Sequence, residues 1–190
     1  MENEYYPWGG EFTPCNPKSC VAVALLNIED YIPSSKVAIY GSLKTENIGI
    51  EKIVANVISN PHIRYLVVCG EDIRGHRSGG SLVSLNENGV DENNRIINAP
   101  GAIPYIENLN KEAIERFNSQ IKTVNLIGVV EKNKINQVID EYLTKSVEPF
   151  GEPYIAIKIV PEAKVSIGDK RALHAKIVVD YMGNVKKRGV

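Results

Sequence analysis

The sequence predicts an α/β fold of the Rossmann-like type, with a doubly wound, mostly parallel sheet and a C-terminal β extension. Over residues 21–150, short apolar runs rich in valine and isoleucine alternate with segments of helical periodicity. This alternation is typical of a parallel sheet covered by helices on both faces. From residue 151 onward, apolar runs follow one another without a helical segment between them, so residues 151–190 are predicted to form an antiparallel extension of the same domain.

Three apolar runs predict buried strands, at residues 21–26, 37–40 and 63–69, and a fourth run predicts a strand at 124–130. Apolar stripes at helical spacing predict helices at 49–60, 79–88, 110–122 and 133–144, with Asn110 and Asn133 as N-caps and Gly89 ending the second helix. Residues 1–20 are too rich in proline and glycine for a helix and are interpreted as an arm lying on the domain surface. Strands are predicted at 154–160, 165–167 and 175–180, and a long ordered loop at 90–108.

Length and composition exclude several classes of function. A chain of 190 residues suits one domain, and its net charge of −1 gives no general reason to bind nucleic acid. No stretch approaches the roughly 20 consecutive apolar residues that span a bilayer, and the acidic start lacks the apolar core of a signal peptide. We therefore expect no transmembrane segment in this chain and a cytoplasmic location, with any membrane association made through a complex or through an anchor that this chain lacks.

The most informative single residue is His76. It lies in a glycine-rich segment directly after the predicted strand 63–69, where ligands bind in open α/β sheets. Turns alone could explain Gly70, Gly75, Gly79 and Gly80, but four glycines so close together more often permit close approach of the backbone to a bulky ligand. The simpler alternative for His76 is a solvent-exposed loop histidine without a function.

Two further loops are expected to share a cleft with His76, because loops that follow parallel strands lie at one edge of a sheet. One holds Lys44, Thr45 and Asn47 before the first helix, and the other covers residues 99–105. Capping of the helix could be the whole role of Thr45 and Asn47, or the same groups could also hold a ligand. The candidate ligand-binding residues are Lys44, Thr45, Asn47, Gly70, Gly75, His76, Ser78, Gly79, Gly101, Ala102, Ile103 and Pro104.

The chemistry of His76 points to a metal that a cofactor brings with it. No His-x-x-x-His motif or His/Cys cluster is present, and Cys15 and Cys20 lack a second pair for a structural zinc site. A single histidine ligand is sufficient when the other ligands belong to a haem or a corrin ring. Nucleophilic catalysis is poorly supported, since the serines near His76 lack a nucleophile elbow.

Several segments closely resemble the A-type, corrinoid-carrying subunit family of tetrahydromethanopterin S-methyltransferase from methanogens. The resemblance is dense and collinear over about residues 5–145, and it is carried by residues 44–52, 55–61, 69–70, 75–76, 87–91 and 99–108. It implies a bound cobamide, either 5-hydroxybenzimidazolylcobamide or cobalamin, with His76 as the axial cobalt ligand and therefore the catalytic residue. It further implies that the cobalt accepts a methyl group from methyl-tetrahydromethanopterin and passes it to coenzyme M. In that family the transfer belongs to methanogenesis and drives sodium export, so the implied partners are the other methyltransferase subunits.

The sequence departs from the related patterns at two points. Other B12 carriers use Asp-x-His-x-x-Gly, whereas Arg74 stands two residues before His76, so a carboxylate partner for His76 is absent at that position. The family subunit usually ends in a membrane anchor after an acidic linker, which residues 151–190 do not resemble. Two alternatives stay open: a soluble paralogue that carries or stores a corrinoid outside the membrane complex, and an interaction domain that has lost the cofactor.

Overall fold

A computed structural model describes residues 5–156 and two short strands near the C-terminus. The chain forms two compact units, Met1–Lys158 and Ile159–Val190. Within the second unit, β6 (Ile177–Val179) and β7 (Val185–Lys187) pair in antiparallel fashion with Ile177 opposite Lys187, which agrees with the predicted strand at 175–180. The predicted strand at 165–167 lies outside the described residues, as does most of the one at 154–160, whose described residues 154–156 form no strand.

The first unit is built on a five-stranded sheet, whose strands are β1 (Phe12–Pro14), β2 (Val21–Leu25), β3 (Ile39–Ser42), β4 (Tyr65–Gly70) and β5 (Lys122–Ile127). Their order across the sheet is β1-β3-β2-β4-β5. β2, β3, β4 and β5 are mutually parallel, and β1 pairs antiparallel with β3 at one edge. The mixed, mostly parallel sheet confirms the predicted α/β fold.

Helices cover both faces of this sheet. On one face Ala22, Ala24, Leu66 and Val68 belong to the core that also contains the buried residues of the first three helices. The alternate residues of the same strands point to the opposite face, where they pack against the fourth helix. No helix in the described part of the chain is long and apolar enough to cross a membrane. The helices are α1 (Ile48–Ser59), α2 (Ser78–Asn88), α3 (Lys111–Gln120) and α4 (Lys132–Leu143).

The strand order reverses direction between β2 and β4. From β2 the chain moves outward to β3, and through α1 it then crosses back to β4 on the other side of β2. Ligands of open α/β sheets bind at such a reversal, beside the carboxyl ends of the strands. The loop that contains His76 follows β4 at this point.

Local sequence signals predict most element ends to within one or two residues. The Asn110 side chain accepts a hydrogen bond from the Ala113 amide at 2.9 Å, which confirms it as the N-cap of α3. Gly89 ends α2 with a positive φ of 71°, as its position after the helix predicts. The predicted cap at Asn133 is wrong, because Glu131 is the N-cap of α4 and its carbonyl accepts from the Ile135 amide.

The N-terminal segment is attached to α1 more firmly than a surface arm would be. Tyr6 is buried, and its amide donates to the Ser59 hydroxyl at 2.9 Å. The Asn56 side chain accepts from the Trp8 amide and donates to the Trp8 carbonyl. These contacts carry the following residues to the sheet edge, where they form β1, a strand that no local sequence pattern predicts.

The buried cysteine at the end of β4 is expected to be unreactive in the folded protein. Burial raises the pKa of Cys69 to about 12, and its side chain is fully buried. Because the thiolate is the reactive form, Cys69 should resist iodoacetamide at pH 8 under native conditions and react in urea. Peptide mass mapping checks this, and native alkylation of Cys69 at the rate of the partly exposed Cys15 would contradict the packing described here.

Candidate functional site

His76 lies on a short closed loop between β4 and α2. The Asp72 carboxylate accepts hydrogen bonds from the Gly79 and Gly80 amides, both at 2.8 Å, and so joins the start of the loop to the first turn of α2. Within the loop the His76 amide donates to the Ile73 carbonyl at 3.2 Å. The loop is therefore held at both ends while the His76 side chain, 60% exposed, stays open to solvent.

A buried carboxylate from another loop holds one nitrogen of the His76 ring. Glu46, which precedes α1, places Oε2 at 3.0 Å from Nδ1 of His76, and its side chain is only 5% exposed. The other oxygen of Glu46 accepts from the Ile103 amide at 3.2 Å. Through this one carboxylate, the loops at residues 44–47, 71–77 and 99–105 meet at the carboxyl edge of the sheet.

The charge state of Glu46 determines which nitrogen of the His76 ring carries the proton and which keeps its lone pair. Burial alone would raise the pKa of Glu46, but hydrogen bonds from the backbone amides of Glu46 and Ile103 and from His76 outweigh burial and lower it. Glu46 is therefore a carboxylate at neutral pH and can only accept hydrogen bonds. We accordingly assign the proton of the neutral ring to Nδ1, which leaves Nε2 with its lone pair available for a metal.

The predicted ligand-binding residues before α1 form local hydrogen bonds and an ion pair. The Asn47 side chain accepts from the Ile48 amide at 2.8 Å, and the Thr45 hydroxyl accepts from the Gly49 amide at 2.9 Å. The capping role predicted for these two residues is thus confirmed. Lys44 is exposed and forms an ion pair with Glu11 at 2.6 Å.

Gly79 and Gly80, in the first turn of α2, allow neighbouring loops to pack closely against the helix. A Cβ on Gly79 would stand 2.6 Å from the Leu26 side chain, and one on Gly80 would stand 2.7 Å from the Pro100 ring. Close packing between loops therefore accounts for both glycines without a bulky ligand. Gly70 and Gly75 instead have positive φ values of 99° and 91°, and a side chain on Gly75 would meet nothing within 4 Å.

The remaining candidate residues divide between the interior and the surface. Ser78, Gly101 and Pro104 are buried, whereas Ala102 and Ile103 are exposed. Ile103 is 60% exposed and Ile73, on the loop of His76, is 51% exposed. The two exposed isoleucines thus lie on two of the loops that meet at Glu46.

Glu46 is the residue of the candidate site that sequence reasoning misses. Arg74 occupies the position from which a carboxylate partner is expected, and the carboxylate comes instead from a residue 30 positions away in the chain. A search for carboxylates in the loops after the other parallel strands would include Glu46 among several candidates, but only the packing of the loops brings it to His76. In residues 5–156 and the two C-terminal strands, no group of three His, Cys, Asp or Glu side chains is arranged to hold a metal ion.

The family model and the similar proteins point to the same family. Residues 2–166 match the MtrA family, described as the A-type subunit of tetrahydromethanopterin S-methyltransferase. A protein of Methanosarcina acetivorans, named as the A-type subunit of the putative methyltransferase Mtx, is 39% identical, covering 94% of this chain and 85% of that protein. An A-type tetrahydromethanopterin S-methyltransferase subunit of Methanothermobacter thermautotrophicus is 46% identical over 79% of this chain, and the match spans 64% of its length.

Proposed function

This chain belongs to the MtrA family of tetrahydromethanopterin S-methyltransferase subunits, and on that premise we propose that it is a corrinoid-binding methyl carrier with His76 as the axial cobalt ligand. The proposed donor is methyl-tetrahydromethanopterin and the proposed acceptor is coenzyme M. The other methyltransferase subunits would bring these two substrates to the site. The observation that supports the proposal best is the exposed His76 ring whose Nδ1 is held by buried Glu46.

The side chains at this site fit a cobamide. Nε2 of His76 offers one neutral nitrogen ligand, which is sufficient because the corrin ring supplies the equatorial ligands itself. Ile73 and Ile103 offer exposed apolar surface for the ring. A bound corrinoid would supply the cobalt atom that accepts and releases the methyl group.

The contribution of the chain is to present the ligand nitrogen in a fixed orientation. Glu46 selects the tautomer with a free Nε2 and increases the basicity of the ring, as carboxylate partners of metal-bound histidines do. The hydrogen bonds of Asp72 to α2 limit the movement of the loop. Preorganisation of this kind lowers the entropic cost of binding.

Corrinoid binding by the purified chain tests the proposal. Apo protein mixed with hydroxocobalamin should retain about one corrinoid per chain through gel filtration, with an absorption spectrum that differs from that of the free cofactor. Absence of retained corrinoid at micromolar protein would favour the interaction-domain alternative and refute the proposal.

Removing the carboxylate charge beside His76 should weaken corrinoid binding without removing the ligand. Loss of the outer partner of a metal-bound histidine typically costs about 10–100-fold in affinity, and we expect that range for Glu46→Gln. Glu11→Gln is a matched control because Glu11 is exposed and pairs with Lys44 instead of His76. Equal corrinoid affinities of the two variants would show that Glu46 does not act through His76.

A second candidate function is a corrinoid carrier or store outside the membrane methyltransferase complex. The match to a protein named for a different putative methyltransferase, Mtx, covers 94% of this chain and favours a role outside the tetrahydromethanopterin S-methyltransferase complex. Incubation of the loaded protein, with its cobalt first brought to Co(I) by a strong chemical reductant, with methyl-tetrahydromethanopterin and the partner methyltransferase subunit separates the two. Transfer of a labelled methyl group to the protein-bound corrinoid supports the first candidate, and its absence supports storage.

A further inference from the structure

Gly101 lies at the junction of the three loops that form the site. It is buried, and its amide donates to the Ser81 hydroxyl at 3.2 Å. The same hydroxyl donates to the Arg77 carbonyl at 3.0 Å, so the loop of residues 99–105 is connected to the residue that follows His76.

No side chain fits at this position. A Cβ on Gly101 would stand 2.6 Å from the His76 carbonyl oxygen, 2.7 Å from the Ser81 hydroxyl and 3.0 Å from Cγ of Glu46. The closest of these atoms belongs to the backbone, and the Ser81 hydroxyl is fixed by its two hydrogen bonds. A methyl group here would have to displace the His76 loop, Glu46 or both.

We infer that Gly101 is a positioning residue for the His76–Glu46 pair and not a residue that contacts the corrin ring. Its hydrogen atom lets the backbone of residue 101 contact the backbone of His76, while Ile103 from the same loop donates to Glu46. The loop thus sets the position of both partners at once. The role in ligation rests on the proposed function, whereas the effect on the His76–Glu46 hydrogen bond belongs to the protein without a cofactor.

The test compares Gly101→Ala with Gly41→Ala. Gly41 is a matched control because a Cβ there would stand 2.6 Å from the Glu11 carbonyl oxygen, an equal conflict at the β1–β3 edge. Nitrogen-15 NMR of the ring nitrogens in the apo protein reports the tautomer of His76. We expect the tautomer with the proton on Nδ1 in the unchanged protein and in Gly41→Ala, and a mixture of tautomers in Gly101→Ala.

A second variant covers the case in which Gly101→Ala fails to fold. Ser81→Ala removes the acceptor of the Gly101 amide without adding bulk, so it should change the His76 signals in the same direction by a smaller amount. In the corrinoid-loaded protein, Gly101→Ala should lose about 10–100-fold in affinity, the range for loss of an outer partner.

The outcomes separate the inference from the proposed function. A tautomer signal that is unchanged in both Gly101→Ala and Ser81→Ala overturns the inference, as does an equal change in Gly41→Ala. If the unchanged protein binds no corrinoid while Gly101→Ala still alters the tautomer, the proposed function fails and the positioning role of Gly101 stands.

Discussion

Replacing His76 with alanine is expected to abolish cobalt coordination by the protein and to weaken corrinoid binding by more than about 100-fold. Loss of an outer partner alone costs about 10–100-fold, and loss of the ligand itself must exceed that. The fold should survive, because the His76 side chain is exposed and its loop stays closed through Asp72. Equilibrium dialysis against hydroxocobalamin measures the affinity, and the absorption spectrum reports the axial ligand.

The matched control for this variant is His62→Ala. His62 lies before β4, at the end of the sheet opposite to the site, so its ring cannot reach the same ligand. We expect affinity and spectrum to be unchanged in this control. A His76→Ala protein that binds cobalamin with the affinity and spectrum of the unchanged protein would exclude His76 as the ligand.

Replacing Glu51 with alanine is expected to cause the largest loss of stability at a polar position. Glu51 is 1% exposed, and its Oε1 accepts from the Glu107 amide and, at 2.8 Å, from the Asn108 amide. Its Oε2 accepts from the Asn108 side chain at 2.6 Å. Hydrogen bonds to a charged group contribute about 1.5–3 kcal/mol each, but these donors belong to exposed residues that water can partly satisfy, so the free energy of unfolding should fall by about 2 kcal/mol or more in urea denaturation.

Two variants place limits on this effect. Glu51→Gln keeps one carbonyl oxygen for the two backbone amides and should lose clearly less stability than Glu51→Ala. Glu112→Ala removes an exposed carboxylate from the first turn of α3 and should change the free energy of unfolding by less than about 1 kcal/mol. Equal losses for Glu51→Ala and Glu112→Ala would show that Glu51 does not hold the loop before α3.

The parts of the fold that could be predicted depend on contacts that repeat along the chain. The stripe of Ile50, Val54, Val57 and Ile58 recurs at the helical period, so it predicts α1 to within one residue. β1 has no such pattern: it has three residues, ends in Pro14, and exists because Tyr6 and Trp8 bind α1 some 50 residues away. Its pairing is a tertiary effect that no local window contains.

The candidate site likewise has one part that could be predicted from the sequence and one part that could not. The place of His76 after a buried strand could be predicted, because parallel strands present their carboxyl ends at one edge. Its partner Glu46 could not, since the hydrogen bond depends on how the β3–α1 loop lies beside the loop after β4. The close contact of Gly101 with the His76 backbone depends on the same packing, which is why sequence reasoning assigns that glycine to the cofactor instead.

Electron paramagnetic resonance of the cobalamin-loaded protein, reduced to the Co(II) state, tests the central claim most directly. Two samples are compared, one with ordinary histidine and one with nitrogen-15 in the histidine rings. If Nε2 of His76 is the axial ligand, the nitrogen splitting changes from triplets to doublets on labelling, and His76→Ala removes this label-dependent splitting. Triplets that persist in the labelled protein would show that the base of the cofactor, and not His76, binds the cobalt.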